Sequence, residues 1–433
     1  MAASLNSQQH ATYTVLVTGA NSGLGLATCC RLIDEFLQTR PSSQSIHLLF
    51  STRDVKKRAQ TLQAINGHIG NTLKEVQGTA DRLHGPRVTI QGVLVDLSRL
   101  LTVKALAKQL QGEFEHIDAV VCNAGIGGWS GLHWGHAIYS LLFDFMQATT
   151  FPTFQSCYVG AVTKRQLPAT ANKVEEPPLG EVFAANLFGH YMLVHWIASV
   201  LTSESRIVWV SSLSAASKYL SFDDFQRLGT SEAYESSKRA TDLMVLTSEL
   251  PATQQYVSSF LPASPGRSTR SKATTSHPVM YTTHPGVVFT GINGLPWYLS
   301  IFILGSFWLA RWLGSPWHTI TTYKGAVSAT WTCLAPDEQL RDLELRLGKG
   351  KWGSVVTVQG AEGVKRTEVD GWGFSGVVGP APSGSVSGKQ GRLRGRTKFT
   401  AESRVEFEEQ GRLVWQELEV LRKAWEERLD TAE

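Results

Sequence analysis

The 433-residue chain has five cysteines, an odd and sparse set that excludes a disulfide framework and fits a reducing compartment. Charged residues make up 18%, below the roughly 25% of typical soluble proteins. The net charge of +4 is too small to recruit nucleic acid, so no nucleic-acid partner is expected. The opening MAASLNSQQHATYT lacks a basic stretch followed by an apolar one, and no secretory signal is expected. No internal repeat is visible, and no metal site is expected. The uncharged apolar run 295–310 (LPWYLSIFILGSFWLA) covers 16 positions. As a helix it reaches about 24 Å, short of the roughly 20 residues that a membrane span needs.

Hydrophobic residues, at 42%, are plentiful enough for a large core and exclude a disordered chain. Tryptophan is abundant, with thirteen copies in clusters. The length leaves a surplus over the roughly 150 to 250 residues of one α/β domain.

Apolar strands alternate with helical patterns from the start of the chain. Strands are expected at 13–17, 46–50, 87–97, 118–125, 206–215 and 279–286, with helices between them. That rhythm predicts an α/β fold: a doubly wound Rossmann-type parallel sheet of about seven strands, with insertions and a C-terminal helical extension.

The first strand runs into Thr18-Gly19-Ala20-Asn21-Ser22-Gly23-Leu24-Gly25 and then a helix. Gly19 permits a tight turn, and Gly23 and Gly25 let backbone approach a pyrophosphate at the helix N-terminus. Thr18, Asn21, Ser22 and Leu24 complete this candidate cofactor loop. The second strand ends Phe50-Ser51-Thr52-Arg53, with Lys56 and Lys57 beyond and no acid before Asp54. An NAD site usually carries an acid there; Thr52 and Arg53 instead suit a ribose 2′-phosphate, which favours NADPH. A solvated helix start is the plain alternative. Asp96, followed by Leu97, is placed to take the adenine amino group or to cap a helix. Asn123-Ala124-Gly125 leaves space beside the adenosine ribose.

Tyr234 and Lys238, four residues apart, share one helix face. An ammonium near a phenol lowers its pKa from about 10, and such a tyrosine can protonate a carbonyl oxygen as hydride reaches the carbon. Lys238 can also hold the nicotinamide ribose. Alone, this spacing is usually a solvated helix face; its company gives it weight. Ser212 ends the fifth strand, where a hydroxyl reaches a substrate carbonyl; Ser211 stays open as the alternative. Asn186 lies mid-helix, where a buried amide can hold a relay water or simply bend the helix. Pro285 and Gly286 turn the chain after the sixth strand, with Val288 and Thr290 placed near a nicotinamide carboxamide. An ordinary turn has the same letters.

Taken in order, TGxxxGxG (18–25), NAG (123–125), Asn186, Ser212, YxxxK (234–238) and PG…T (285–290) resemble the short-chain dehydrogenase/reductase family over about residues 12–335. The resemblance implies a catalytic set of Asn186, Ser212, Tyr234 and Lys238, with the cofactor also held by Asn186, Tyr234 and Lys238. Segments 123–134, 149–154, 179–193 and 205–215, the long spacing from Ser212 to Tyr234 and the block 294–318 resemble the fungal branch that reduces 3-keto-sterols. That implies reduction of a sterol C3 ketone to the 3β-alcohol during C-4 demethylation in ergosterol synthesis. It also implies a place on the cytosolic face of the endoplasmic reticulum membrane or lipid droplets, among other C-4 demethylation enzymes and oxidosqualene cyclase. Reduction of another lipid carbonyl, such as a retinoid, and a scaffold role stay open on the motifs alone.

Beyond a reductase domain over 1–335, several segments break the rhythm. Residues 126–180 and 263–277 are insertions. Residues 294–317 form a Trp-rich block, in which Trp297, Trp308, Trp312, Trp317 and Arg311 suit a lipid headgroup boundary, as a monotopic helix or a substrate lid. Residues 336–400 are expected to be a flexible linker, basic at Lys389, Arg392, Arg394, Arg396 and Lys398. Residues 401–433 carry an amphipathic helical pattern.

Overall fold

The computed structural model describes residues 12–76, 87–167, 175–262, 277–290, 297–396 and 398–432. The insertion at 263–277 lies almost wholly outside the described residues. In chain order the first elements are β1 (Thr12–Val17), α1 (Gly23–Thr39), β2 (Ser45–Thr52), α2 (Val55–Val76), β3 (Val88–Leu94), α3 (Leu100–Glu113) and β4 (Ala119–Cys122). A small ribbon of β5 (Trp129–Leu132) and β6 (Gln155–Cys157) then encloses α4 (Trp134–Phe143) and α5 (Phe145–Thr150). Next come α6 (Glu181–Phe183), a π turn at Ala184–Phe188, α7 (Gly189–Trp196), β7 (Arg206–Val210), α8 (Ala233–Leu246), α9 (Gln254–Phe260) and β8 (Val279–His284). The last part holds α10 (Trp297–Trp312), α11 (Thr322–Gly325), α12 (Val327–Leu334), α13 (Asp337–Leu347), β9 (Lys351–Val356), β10 (Glu362–Thr367) and α14 (Ala401–Ala432).

One sheet in the order β10-β9-β8-β7-β4-β1-β2-β3 carries the fold. Every neighbouring pair from β3 to β9 is parallel, and β10 closes the edge antiparallel. The doubly wound α/β expectation is therefore met. The alternation of the pleat sends adjacent residues to opposite faces. Leu16, Leu49, Val120, Ile207 and Trp209 join a core with α3, α7 and α8. Val15, Val17, Leu48, Phe50, Val121 and Val208 join a second core with α1, α2 and α12.

The expectation of a flexible linker over 336–400 is corrected. That segment supplies α13, the seventh parallel strand β9 and the edge strand β10. Three of its basic residues also find partners, on Glu368 of the same segment and on Asp144 of the 126–180 insertion. Arg392 makes a two-pronged bond to Glu368 at 2.5 and 2.7 Å. Arg396 donates to the Glu368 carbonyl, and Arg394 pairs with Asp144 at 2.6 Å. Gln147 of α5 bonds both Arg392 and Arg394 through their backbone. The 126–180 insertion and the C-terminal segment thus brace each other.

The headgroup-boundary expectation is corrected in part. Trp317 is fully buried and donates its indole N–H to the Gly391 carbonyl. Arg311 is also buried, its guanidinium bonded to the carbonyls of His318 and Thr319. Trp308 and Trp312 do lie exposed, with Ile301, Phe302 and Leu309; the Trp297 side chain lies outside the described residues. Among the described residues no helix is long and apolar enough to cross a membrane.

Helix α14 lies on α8 and α9. Phe407, Val414, Trp415, Leu418, Trp425 and Leu429 are buried, each contributing about 1.5–3 kcal/mol from apolar burial. Trp415 also donates to the Met244 carbonyl of α8 at 3.0 Å. Its neighbour Glu419 accepts from Tyr191 of α7 at 2.7 Å. Trp415→Ala is expected to lower unfolding stability by about 3–5 kcal/mol. Val405→Ala, on the exposed face, should change it by no more than about 0.5 kcal/mol. Chemical denaturation of the two variants checks the contrast.

Candidate active site

The glycine-rich turn follows β1 as the sequence predicts. Gly19 has φ +67°, and a side chain there would meet the Ala124 backbone at 2.7 Å. Gly25 admits nothing larger: an added Cβ would lie 2.3 Å from the Gly19 carbonyl oxygen. Helix α1 starts here with no side-chain cap from Ser22 and no acid in its first turn. Its first N–H groups are therefore open to an anion, which fits the pyrophosphate of a dinucleotide. Asn21 donates to the Ser22 hydroxyl at 3.2 Å, and Leu24 is half-buried beside them.

The buried Thr18 hydroxyl joins this turn to the end of β4. It accepts from the backbone N–H of Asn123 at 2.9 Å and of Ala124 at 3.1 Å. It also meets His190 Nε2 at 2.8 Å. Burial and Lys238 push that histidine down to about 3, so it is neutral. Asn123 returns a bond to the Thr18 carbonyl. At the end of β2, Thr52 is buried and bonds the Asp54 carbonyl, while Arg53 is exposed. Asp96 accepts from Ser98 through both backbone and hydroxyl, the local-turn alternative to adenine contact. Leu97 is buried, its carbonyl pressed against Gly189. After β8, Pro285 and Gly286 turn the chain back; Val288 pairs with Ile320, and Thr290 reaches the Gly23 side of the turn.

The four expected catalytic residues converge from three elements. Asn186 sits in the π turn between α6 and α7, an irregularity that often marks a functional site. Its carboxamide accepts from Ile126 N–H at 2.7 Å and donates to the Ile126 carbonyl and the Ser237 hydroxyl. The carboxamide thus ties the loop after β4 to α8, with one amide hydrogen on the Ile126 carbonyl and the other on the Ser237 hydroxyl. Gly125 leaves the gap between Asn186 and the Lys238 ammonium; a Cβ there would lie 3.0 Å from the Asn186 oxygen.

Ser211 and Ser212 separate in space. The Ser212 hydroxyl faces the Tyr234 phenol and favours its ionised form, while accepting from the Ser214 N–H at 3.2 Å. Ser211 is buried and turned the other way, onto the Lys238 carbonyl and the Lys351 ammonium. Lys238 donates to the Val210 carbonyl at 2.7 Å, with its nitrogen 5.7 Å from the centre of the Tyr234 ring. The expected depression of the phenol is not what the geometry gives. Burial pushes Tyr234 up to about 12, only partly offset by Ser212. The phenol is therefore a retained proton, available to be donated. Burial also pushes Lys238 down to about 8, with Asp242 opposing the shift.

Sequence reasoning missed three participants. Trp129 of β5 lies over Tyr234, ring centres 5.1 Å apart. Asp242 follows Lys238 by four residues on the same helix face, a signal that was present in the spacing. Lys351, from the supposed linker, gave none. Gly25→Ala is expected to abolish NADPH binding, read by the cofactor's fluorescence. Gly67→Ala, where a methyl would meet nothing within 4 Å, should bind unchanged.

No family model matches the chain. The chain is 43% identical to a 3-keto-steroid reductase of Aspergillus fumigatus, over 97% of this chain and 95% of that one. It is 35% identical to a 3-keto-steroid reductase of Gibberella zeae, over 95% and 94%. A third, from Schizosaccharomyces pombe, is 32% identical over 82% and 90%. Salutaridine reductase from Papaver somniferum is a remote likeness among solved structures, with 16% identity and a TM-score of 0.42 over 75% of this chain and 97% of that one. Identity of this extent over nearly the whole of the fungal relatives shows that the chain belongs to the 3-keto-steroid reductase family and is an oxidoreductase.

Proposed function

We propose that this protein reduces the C3 ketone of a sterol to the 3β-alcohol, using NADPH, in the C-4 demethylation stage of ergosterol synthesis. The observation that carries the reading is the convergence of Ser212, Tyr234 and Lys238 at the strand ends beside an open helix N-terminus. Extended identity to fungal 3-keto-steroid reductases supports the substrate class. When bound, the reduced nicotinamide supplies the hydride. Tyr234 gives its proton to the ketone oxygen, and the Ser212 hydroxyl orients that oxygen. The Lys238 ammonium stabilises the phenolate left behind. Asn186 holds the loop that borders the site. Arg53, exposed after β2, supports a 2′-phosphate and so NADPH over NADH.

The apolar surface beside the site supports a membrane reading. Helix α4 exposes Ile138, Leu142 and Phe143, and α10 exposes Ile301, Phe302 and Trp312. Both helices pack on α5. The two exposed helices give an insoluble sterol a path from one leaflet, without a span. A place on endoplasmic reticulum or lipid droplets, alongside other sterol enzymes, belongs to the same proposal.

With a 4-methyl-3-keto-sterol and NADPH, Tyr234→Phe is expected to lose about 10²–10⁴-fold in turnover; wild-type turnover in that variant would overturn the mechanism. Lys238 has its pKa depressed in the fold and acts as the cation. Turnover should therefore hold below pH 8 and fall as pH rises through about 8. Phe302→Glu combined with Trp312→Glu should reduce flotation with anionic phospholipid vesicles while leaving cooperative unfolding intact.

A further inference from the structure

The catalytic helix carries more charge chemistry than the proposed reaction uses. Asp242 of α8 is fully buried, four residues beyond Lys238 and eight beyond Tyr234. Its partner is the ammonium of Lys351, the first residue of β9, at 2.6 Å and almost equally buried. All three Lys351 protons have acceptors: the Asp242 carboxylate, the Ser212 carbonyl at 2.6 Å and the Ser211 hydroxyl at 3.1 Å. The other Asp242 oxygen accepts from the Thr282 hydroxyl of β8 at 3.1 Å. A buried pair of this kind gains little net stability, because both ions give up hydration. Stability alone therefore does not account for its placement under the active serine.

We infer that Lys351 and Asp242 form a buried ion pair that positions Ser212 and sets the electrostatic surroundings of Lys238. Lys351 is a positioning residue, since its hydrogen bond toward the site is to the Ser212 backbone and not to a reacting atom. It clamps Ser212 from below, while the Ser212 side chain meets Tyr234 from above. Two residues earlier, the Val210 carbonyl accepts from Lys238. The strand end β7 is thus held between two ammonium groups, and Asp242 acts on both.

Lys238 is faced by Tyr234 and Asp242 on its own helix, Cys122 from β4, His190 from α7 and Lys351 from β9. Burial keeps the Cys122 thiol protonated and the His190 imidazole neutral near pH 7. Asp242 is then the carboxylate that keeps Lys238 charged. Lys351 is faced in addition by Arg239 of α8, Arg396 and a neutral, buried His284 of β8. Removing the Asp242 charge lowers the proton affinity of Lys238 whether or not Lys351 stays protonated, because Asp242 outweighs Lys351 at that site.

The inference rests on the reductase reading, and the test separates the two. Steady-state kinetics with NADPH and a 4-methyl-3-keto-sterol compare wild type, Lys351→Met, Lys351→Arg, Asp242→Asn and the Asp242→Asn/Lys351→Met double variant. Lys351→Met is expected to lose about 10²-fold in kcat with little change in the KM for NADPH, as displacement of a reacting group does. Lys351→Arg should recover part of that loss. Asp242→Asn should move the alkaline limb of the pH profile down by about one unit. The double variant leaves no lone buried charge, so it reports both effects if a single variant does not fold. Wild-type kcat in a cooperatively unfolding Lys351→Met, or an unmoved limb in Asp242→Asn, overturns the inference. If wild type does not reduce the sterol, the substrate reading falls by itself. The pH dependence of NADPH affinity in wild type and Asp242→Asn then reads Lys238 directly: a lower midpoint in the variant supports the inference, and identical midpoints overturn it.

Discussion

Chain order along the sheet reverses between β1 and β4, and the crevice this leaves at their carboxyl ends is what the site depends on. Strands on the two sides of the reversal send their connections to opposite faces, so the loops part and leave room for an extended ligand. The Thr18 hydroxyl closes the floor of that crevice by taking two N–H groups from the end of β4. Together with the Asn123 bond to the Thr18 carbonyl, this tie fixes the separation of the glycine turn and the Asn123-Ala124-Gly125 loop. The absence of side chains at Gly19, Gly25 and Gly125 then keeps the floor open.

On that floor, charge is arranged in depth. Tyr234 lies uppermost, Lys238 one turn below and Asp242 another turn below, all on one face of α8. Burial raises the proton affinity of the phenol and lowers that of the ammonium. Nearly equal in acidity in water, the two groups are thereby driven apart: the phenol holds its proton more tightly and the ammonium less. The seventh parallel strand finishes the column from the far side with Lys351.

The surplus length beyond the reductase core also has a structural account. The 126–180 insertion and segment 386–396 meet around Trp317 and Phe151. They form a wall beside the site rather than independent appendages. Helix α14 covers the outer side of α7, α8 and α9, where an apolar helix face would otherwise meet water. In each case the segment finds its partner far away in sequence, which local composition does not reveal.

Six strands, the glycine turn and the Tyr234–Lys238 pair were legible in the sequence, because each depends on short-range periodicity: two residues for a pleat, about 3.6 for a helix. The exposed apolar face of α10 was legible for the same reason. Tertiary structure alone decided which serine meets the tyrosine, since adjacent residues at a strand end point to opposite sides. It alone turned a Gly- and Ser-rich stretch into β9, because a strand is stabilised by a neighbour such as β8 and not by its own composition. It alone reversed the expected shift of Tyr234, since proton affinity follows burial, and burial is a property of the whole packed chain.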